Sequence, residues 1–237
     1  MVNLKKSDFK IINAENSGFC FGVRRAVETI YELRNKTDKE IYTIGELIHN
    51  EHFIRQLEKD NIFSVEECDI ETLLPKKDNC VLVVRTHGVK KEIIQKIEFL
   101  GFTYIDATCP FVNRIHDIVD KNSKDVNAVV IMGDKNHPEV IGIQSYSHSR
   151  TFVCSDEQEL LSTVKKNLTA NENCILLTSQ TTYNNEKYVN CQKLAKKLYT
   201  NSKIFDTICS VTEKRQLEAA ALSEKCDMMI VIGGKES

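Results

Sequence analysis

A chain of 237 residues can bury a substantial core, and its hydrophobic (41%) and charged (28%) fractions are those of an ordinary globular protein. The formal net charge is only −2 and basic residues are spread along helical patterns, so neither a polyanionic partner nor nucleic acid is expected. No apolar run approaches the ~20 residues of a membrane span, and the polar start lacks the apolar core of a secretion signal, which points to a cytoplasmic protein.

In chain order, a short apolar run at 9–12 precedes Ser17-Gly18-Phe19-Cys20-Phe21-Gly22-Val23-Arg24-Arg25, after which Val23, Ala26, Val27, Ile30 and Leu33 recur at helical spacing. A cysteine at such a junction stands at the positive end of a helix, where free N–H groups favour a thiolate or another anion. Runs of strand length follow at 41–44, 81–84, 103–105, 128–132, 151–153, 175–177, 203–205 and 228–232. Helical patterns separate them at 51–58, 91–99, 111–121, 138–147, 156–166, 185–199 and 212–225, with Pro138 suited to a first turn. Alternation of this kind predicts an α/β fold with mostly parallel sheets, and the Val/Ile-rich runs predict strands covered on both faces.

The nine cysteines are expected to stay reduced. Cys80, Cys174 and Cys226 lie in or beside apolar runs and are expected to be small buried hydrophobes, whereas Cys68, Cys154 and Cys191 are expected to be incidental. Cys20, Cys109 and Cys209 differ. Tyr104-Ile105-Asp106-Ala107-Thr108-Cys109 and Ile204-Phe205-Asp206-Thr207-Ile208-Cys209 lead into helical patterns as Cys20 does, and Arg25, Arg114 and Lys214 follow at one offset. Spacings of roughly 90 to 100 residues between these cysteines predict three similar lobes around a pseudo-threefold axis. Their bounds are 22–108, 109–205, and 1–21 together with 206–237. The last lobe reads as incomplete, because the chain ends just after the run at 228–232.

Residues beyond the carboxyl ends of strands carry the chemistry in such folds. Three of the six histidines, His49, His87 and His137, fall there, together with Glu139 and Ser179-Gln180-Thr181-Thr182. His52, His116 and His148 fall on helical segments and are expected at the surface. Structural zinc favours close cysteine pairs, and none exists here. Three separated thiolates suit a [4Fe–4S] cluster better, leaving one iron open as a Lewis acid beside an anion pocket, with Glu139 as proton carrier. A metal or redox sensor without turnover, or another three-lobed cluster enzyme such as quinolinate synthase, are the alternatives.

Cys20-Phe21-Gly22-Val23, Arg85-Thr86-His87-Gly88, Asp106-Ala107-Thr108-Cys109-Pro110, His137-Pro138-Glu139, Ser179-Gln180-Thr181-Thr182 and Ile208-Cys209 form a set that resembles the 4-hydroxy-3-methylbut-2-enyl diphosphate reductases of the non-mevalonate isoprenoid pathway, the IspH or LytB family. The motifs stand in family order over nearly the whole chain. The resemblance implies reductive dehydroxylation of an allylic diphosphate to isopentenyl and dimethylallyl diphosphate. It implies Cys20, Cys109 and Cys209 as cluster ligands, and His49, His87 and His137 as the diphosphate pocket. Glu139 and Thr181 would deliver protons, and ferredoxin or flavodoxin would donate electrons. Ser237 matches the first serine of the family's Ser-Ser-Asn motif, and Glu236 replaces a common asparagine. The expectation is therefore that a chain ending there is poorly active. Some family members carry C-terminal RNA-binding repeats; nothing in this segment has that character.

Overall fold

A computed structural model describes residues 10–48, 50–169, 172, 174–199 and 201–233. Two runs of alternating strands and helices give two separate four-stranded sheets, in which every pairing is parallel. The first holds β1 (Glu40–Ile44), β2 (Ile62–Val65), β3 (Cys80–Val84) and β4 (Tyr104–Asp106) in the order β2-β1-β3-β4. The second holds β5 (Ala128–Met132), β6 (Arg150–Cys154), β7 (Ile175–Ser179) and β8 (Lys203–Ile204) in the equivalent order β6-β5-β7-β8. The α/β class and the parallel pairing agree with the sequence reading.

All residues of β3, β5 and β7 are buried. Side chains of β5 alternate between two cores, as the pleat requires. Ala128, Val130 and Met132 pack with Leu160 and Tyr188, on α6 (Glu157–Asn167) and α7 (Asn185–Leu198). Val129 and Ile131 pack with Ile115, Val119, Val140 and Ile143, on α4 (Pro110–Asn122) and α5 (Pro138–Ser145). The first sheet is covered on one face by α1 (Phe21–Lys36) and α2 (Glu51–Lys59). Its other face is covered by α3 (Lys91–Leu100) and a 3-10 segment at Glu67–Asn79. Each aliphatic side chain buried this way contributes about 1.5–3 kcal/mol.

Several expectations are corrected. Residues 62–65 form a strand that the sequence reading leaves out. The run at 228–232 forms none, with Ile230, Val231 and Ile232 79%, 88% and 93% exposed. A strand needs a neighbour for its backbone groups and a layer over its side chains, and no described residue supplies either to this run. Of the run at 9–12, Phe9 lies outside the described residues and 10–12 form no strand, with Ile11 70% exposed. The helix α8 (Ser210–Ser223) buries no residue. Cys154 and Cys191 are core residues, while Cys174 and Cys226 are half-buried; buried Cys80 and exposed Cys68 keep their expected places. Cys191 shares the inner face of α7 with Tyr188 and Ala195, at spacings of three and four residues. His116 is buried, contrary to the surface role expected of it. His148 lies in the turn before β6, beside Asp120 at 3.1 Å, and His52 is exposed.

Candidate functional site

Two groups of three helix starts contrast with each other. Asn50, Asp156 and Asn184 cap α2, α6 and α7 by accepting the N–H of the residue three further on. Cys20, Cys109 and Cys209 occupy the same position before α1, α4 and α8, and none bonds to its own helix through a side-chain cap. Three helix N-termini thus present thiols and keep their positive ends for an anion. The register follows from the repeat: Cys109 donates its N–H to the Thr86 carbonyl, and Cys209 to the Thr181 carbonyl, both at 2.9 Å. A Cβ on Gly22 would lie 2.6 Å from the Cys109 sulfur and 3.9 Å from that of Cys20, so only glycine keeps this space open. Burial raises the Cys109 thiol; N–H groups of Phe111 and Val112 oppose the rise, and neighbouring Cys20 and Cys209 add to it.

Arginines hold two of the cysteine loops. Arg25 donates to the Thr108 carbonyl at 3.0 Å. Arg215 of α8 donates to the carbonyls of Asn16 (2.8 Å) and Gly18, while Glu218 accepts the Asn16 N–H at 2.9 Å. Gly18, at φ 80, takes the left-handed conformation this turn requires. Cys20 therefore follows a clamped turn and not a strand.

Beside Cys209, the second sheet carries a buried acid. Glu139, in the first turn of α5, is 1% exposed. Its carboxylate accepts both the backbone N–H of Thr181 (2.6 Å) and the Thr181 hydroxyl (2.7 Å). Burial pushes its pKa up to about 7, against the lowering effect of those two bonds. His137 caps α5, its Nδ1 accepting the Glu139 N–H at 3.2 Å. In the neutral ring that bond assigns the proton to Nε2. The His87 ring meets that of His137 edge to face, with centroids 5.4 Å apart, so one histidine from each sheet joins the site.

The sequence reading gave no role to several residues that set these loops. Arg85 donates Nε to the Gly88 carbonyl at 3.2 Å and reaches Glu67 at 3.0 Å. It passes under Gly45, where a Cβ would collide with the guanidinium. Thr86 donates its hydroxyl to the Leu47 carbonyl at 3.0 Å. Gln180 plays the matching part in the second sheet, accepting the Asp134 N–H at 3.2 Å beneath Gly133. The buried Thr207 hydroxyl accepts the Ser179 N–H at 2.8 Å and donates to the Ser179 carbonyl at 2.9 Å. Arg85 and Gln180 stand inside motifs already singled out, which was the available signal. His49 and Ser237 lie outside the described residues. Among the described residues, no three His, Cys, Asp or Glu side chains stand close enough to share one metal ion. A recess of about 630 Å³ lined by Tyr31, Arg34, Asp60 and Phe63 lies at the amino-terminal end of β1, away from all of these groups.

Two parallel sheets with three cysteines at uncapped helix starts, a histidine pair and a buried carboxyl define an α/β protein with a cysteine-rich site. A family model described as LytB protein matches residues 11–237, and the chain belongs to that family. A protein of Caldanaerobacter subterraneus subsp. tengcongensis named 4-hydroxy-3-methylbut-2-enyl diphosphate reductase is 40% identical over 229 residues, covering 96% of this chain and 76% of the relative. A protein of Clostridium tetani with the same name is 41% identical over 228 residues, 96% of this chain but 34% of the relative. The solved structure of (E)-4-hydroxy-3-methyl-but-2-enyl diphosphate reductase, described as the terminal enzyme of the non-mevalonate pathway, superposes with a TM-score of 0.73. Its identity is 31%, with 96% of this chain and 78% of that one covered.

Proposed function

We propose that this protein reductively dehydroxylates 4-hydroxy-3-methylbut-2-enyl diphosphate to isopentenyl and dimethylallyl diphosphate, the last step of the non-mevalonate route to isoprenoid precursors. The observation that carries this reading is the Glu139–Thr181 pair, a buried acid that titrates near neutrality beside the Cys209 loop. The overall change consumes two electrons and two protons, replaces a C–OH bond by C–H and releases water.

Cys20, Cys109 and Cys209 are the residues that would hold a [4Fe–4S] cluster. Their fit rests on the three uncapped helix starts and on the space kept open by Gly22. When bound, such a cluster supplies the electrons and a Lewis-acidic iron without a protein ligand. Glu139 holds a proton at neutral pH and the Thr181 hydroxyl, 2.7 Å away, extends that donor towards the substrate. His137 offers Nε2–H to the diphosphate, and His87 joins it from the first sheet. His49 and Ser237 complete the anion pocket in this reading. Fixing the diphosphate orients the reacting end of the substrate.

The same reading takes the chain as three lobes, 22–108, 109–205 and 1–21 with 206–237; the equal strand orders of the two sheets support the first two. Ferredoxin or flavodoxin serves as electron donor. Nine free cysteines suit the reducing cytoplasm, and no described helix is long and apolar enough to cross a membrane. Anaerobic preparation with iron and sulfide, followed by electron paramagnetic resonance and turnover with the hydroxylated diphosphate and a chemical reductant, tests the proposal. We expect a brown protein that yields both products. A colourless protein holding one zinc ion and showing no turnover would overturn it.

A further inference from the structure

His116 is 4% exposed and its Nε2 is buried without a hydrogen-bond partner. Leaving such a group unpaired costs about 1–3 kcal/mol, which an aliphatic side chain on the same face of α4 would avoid. The surroundings show what the ring does there. It stacks on Tyr146 with centroids 4.2 Å apart and planes at 12°. A Cβ on Gly88 would come within 2.8 Å of its Cε1, and one on Gly142 within 3.4 Å of its Nε2. Gly88 directly follows His87 in the loop after β3, while Gly142 and Tyr146 belong to and end the helix that starts at His137 and Glu139. One imidazole therefore fills the seam between the loop of the first sheet and the helix of the second. The same seam is closed further out by the Lys91 N–H on Ser145 Oγ at 2.9 Å and by Lys91 Nζ on Asp120 at 2.5 Å.

We propose that His116 is a positioning residue, a spacer of fixed thickness that sets the separation of His87 and His137 and so the affinity of the site for a diphosphate group. His87 precedes Gly88 on one side of this ring, and His137 begins the helix that holds Gly142 and Tyr146 on the other, so the thickness of the ring bears on how far apart the two segments stand. Burial holds His116 down at about 4, so the ring stays uncharged at neutral pH and acts there as bulk alone. Glu139 is held by its two bonds to Thr181 in the loop after β7, contacts that do not involve the His116 ring.

The inference rests on the function proposed above, and the test separates the two. Inorganic diphosphate binding is measured by calorimetry on the anaerobically reconstituted protein and on His116→Ala and His116→Phe, alongside iron content and the pH profile of turnover. His116→Ala thins the spacer, and we expect dissociation constants and KM to rise about tenfold or more, since misplacement by about 1 Å costs on that scale. Iron content and the pH midpoint set by Glu139 should not move, and added imidazole should restore binding. His116→Phe puts a larger ring in the seam and thickens the spacer, so it should weaken binding even if His116→Ala does not fold. Diphosphate affinity unchanged in every folded variant would overturn the spacer role, as would a loss in His116→Ala that imidazole fails to restore. A wild-type protein that neither binds diphosphate nor turns over substrate would instead sink the proposed function.

Discussion

Glu139→Gln separates the chemistry of the buried acid from its packing. The amide is nearly isosteric: its oxygen can still accept the Thr181 N–H, and its NH₂ can donate to the Thr181 hydroxyl oxygen, reversing one bond and breaking none. What the substitution removes is the proton. In the folded protein the Glu139 carboxyl binds its proton up to about pH 7, against 4.5 when unfolded. The folded state therefore carries more protons than the unfolded state between those values, and the contribution of this group to stability is lost as pH rises from about 4.5 to about 7. That interval corresponds to about 3 kcal/mol as an upper value, flat only above about pH 8. Denaturant unfolding at pH 5 and pH 8.5 should show the wild type losing this much more stability than Glu139→Gln between the two conditions. Turnover gives the second reading. Wild-type kcat should fall above pH about 7, and the Gln variant should lose on the order of 10²–10⁴-fold while keeping its iron. A Gln variant with wild-type kcat would refute the proton role, and equal pH dependence of stability in both proteins would refute the shifted titration.

Thr181→Val removes the hydroxyl that accompanies the acid. The Glu139 carboxyl then loses one of the two bonds that lower it, so the alkaline limb of the kcat profile should move to higher pH while kcat falls at least about tenfold. Gly22→Ala sets a methyl 2.6 Å from the Cys109 sulfur. Iron and sulfide per chain should drop well below wild type with the circular dichroism unchanged, and full loading would show that the gap is not needed. Arg215→Ala frees the carbonyls of Asn16 and Gly18, and exchange of the 15–20 amides measured by mass spectrometry should speed up while the two sheets stay protected.

The strands of both sheets were legible because a run such as Cys80–Val84 or Ala128–Met132 carries its signal locally. The same locality explains the failures. Residues 228–232 have the composition of a buried strand, but a strand is a relation between segments, and these residues have none of the required neighbours among the described ones. Ile62–Val65 failed in the other direction: four residues at a sheet edge are too few to show a period. The cysteines of the site were legible through repetition, which distinguishes Cys20, Cys109 and Cys209 from the six others. His116 could not be read, because its burial depends on Tyr146, thirty residues further on and across a seam between two sheets. Likewise nothing local to Arg85 announces that Gly45, forty residues earlier, leaves room for it.

That last pairing occurs twice, and the recurrence explains how the site divides its work. Gly45 follows β1 and donates its N–H to Val65 of β2; Gly133 follows β5 and donates to Cys154 of β6. Each lies where a Cβ would strike the side chain that crosses from the next loop, Arg85 in one half and Gln180 in the other. Thr86 and Thr181 then follow, each carbonyl receiving a cysteine N–H at 2.9 Å. Counted from the two glycines, His49 corresponds to His137 and Glu51 to Glu139. The two glutamates have diverged. Glu51 is 86% exposed and meets Arg55 one turn along its helix, whereas Glu139 is 1% exposed and held by Thr181. Only the second half therefore shifts a carboxyl towards neutrality. The first half keeps a cationic side chain, Arg85, where the second has the uncharged Gln180. A duplicated scaffold thus places Cys109 and Cys209 by symmetry and obtains a proton donor from one copy alone, because the burial that raises Glu139 has no counterpart over Glu51.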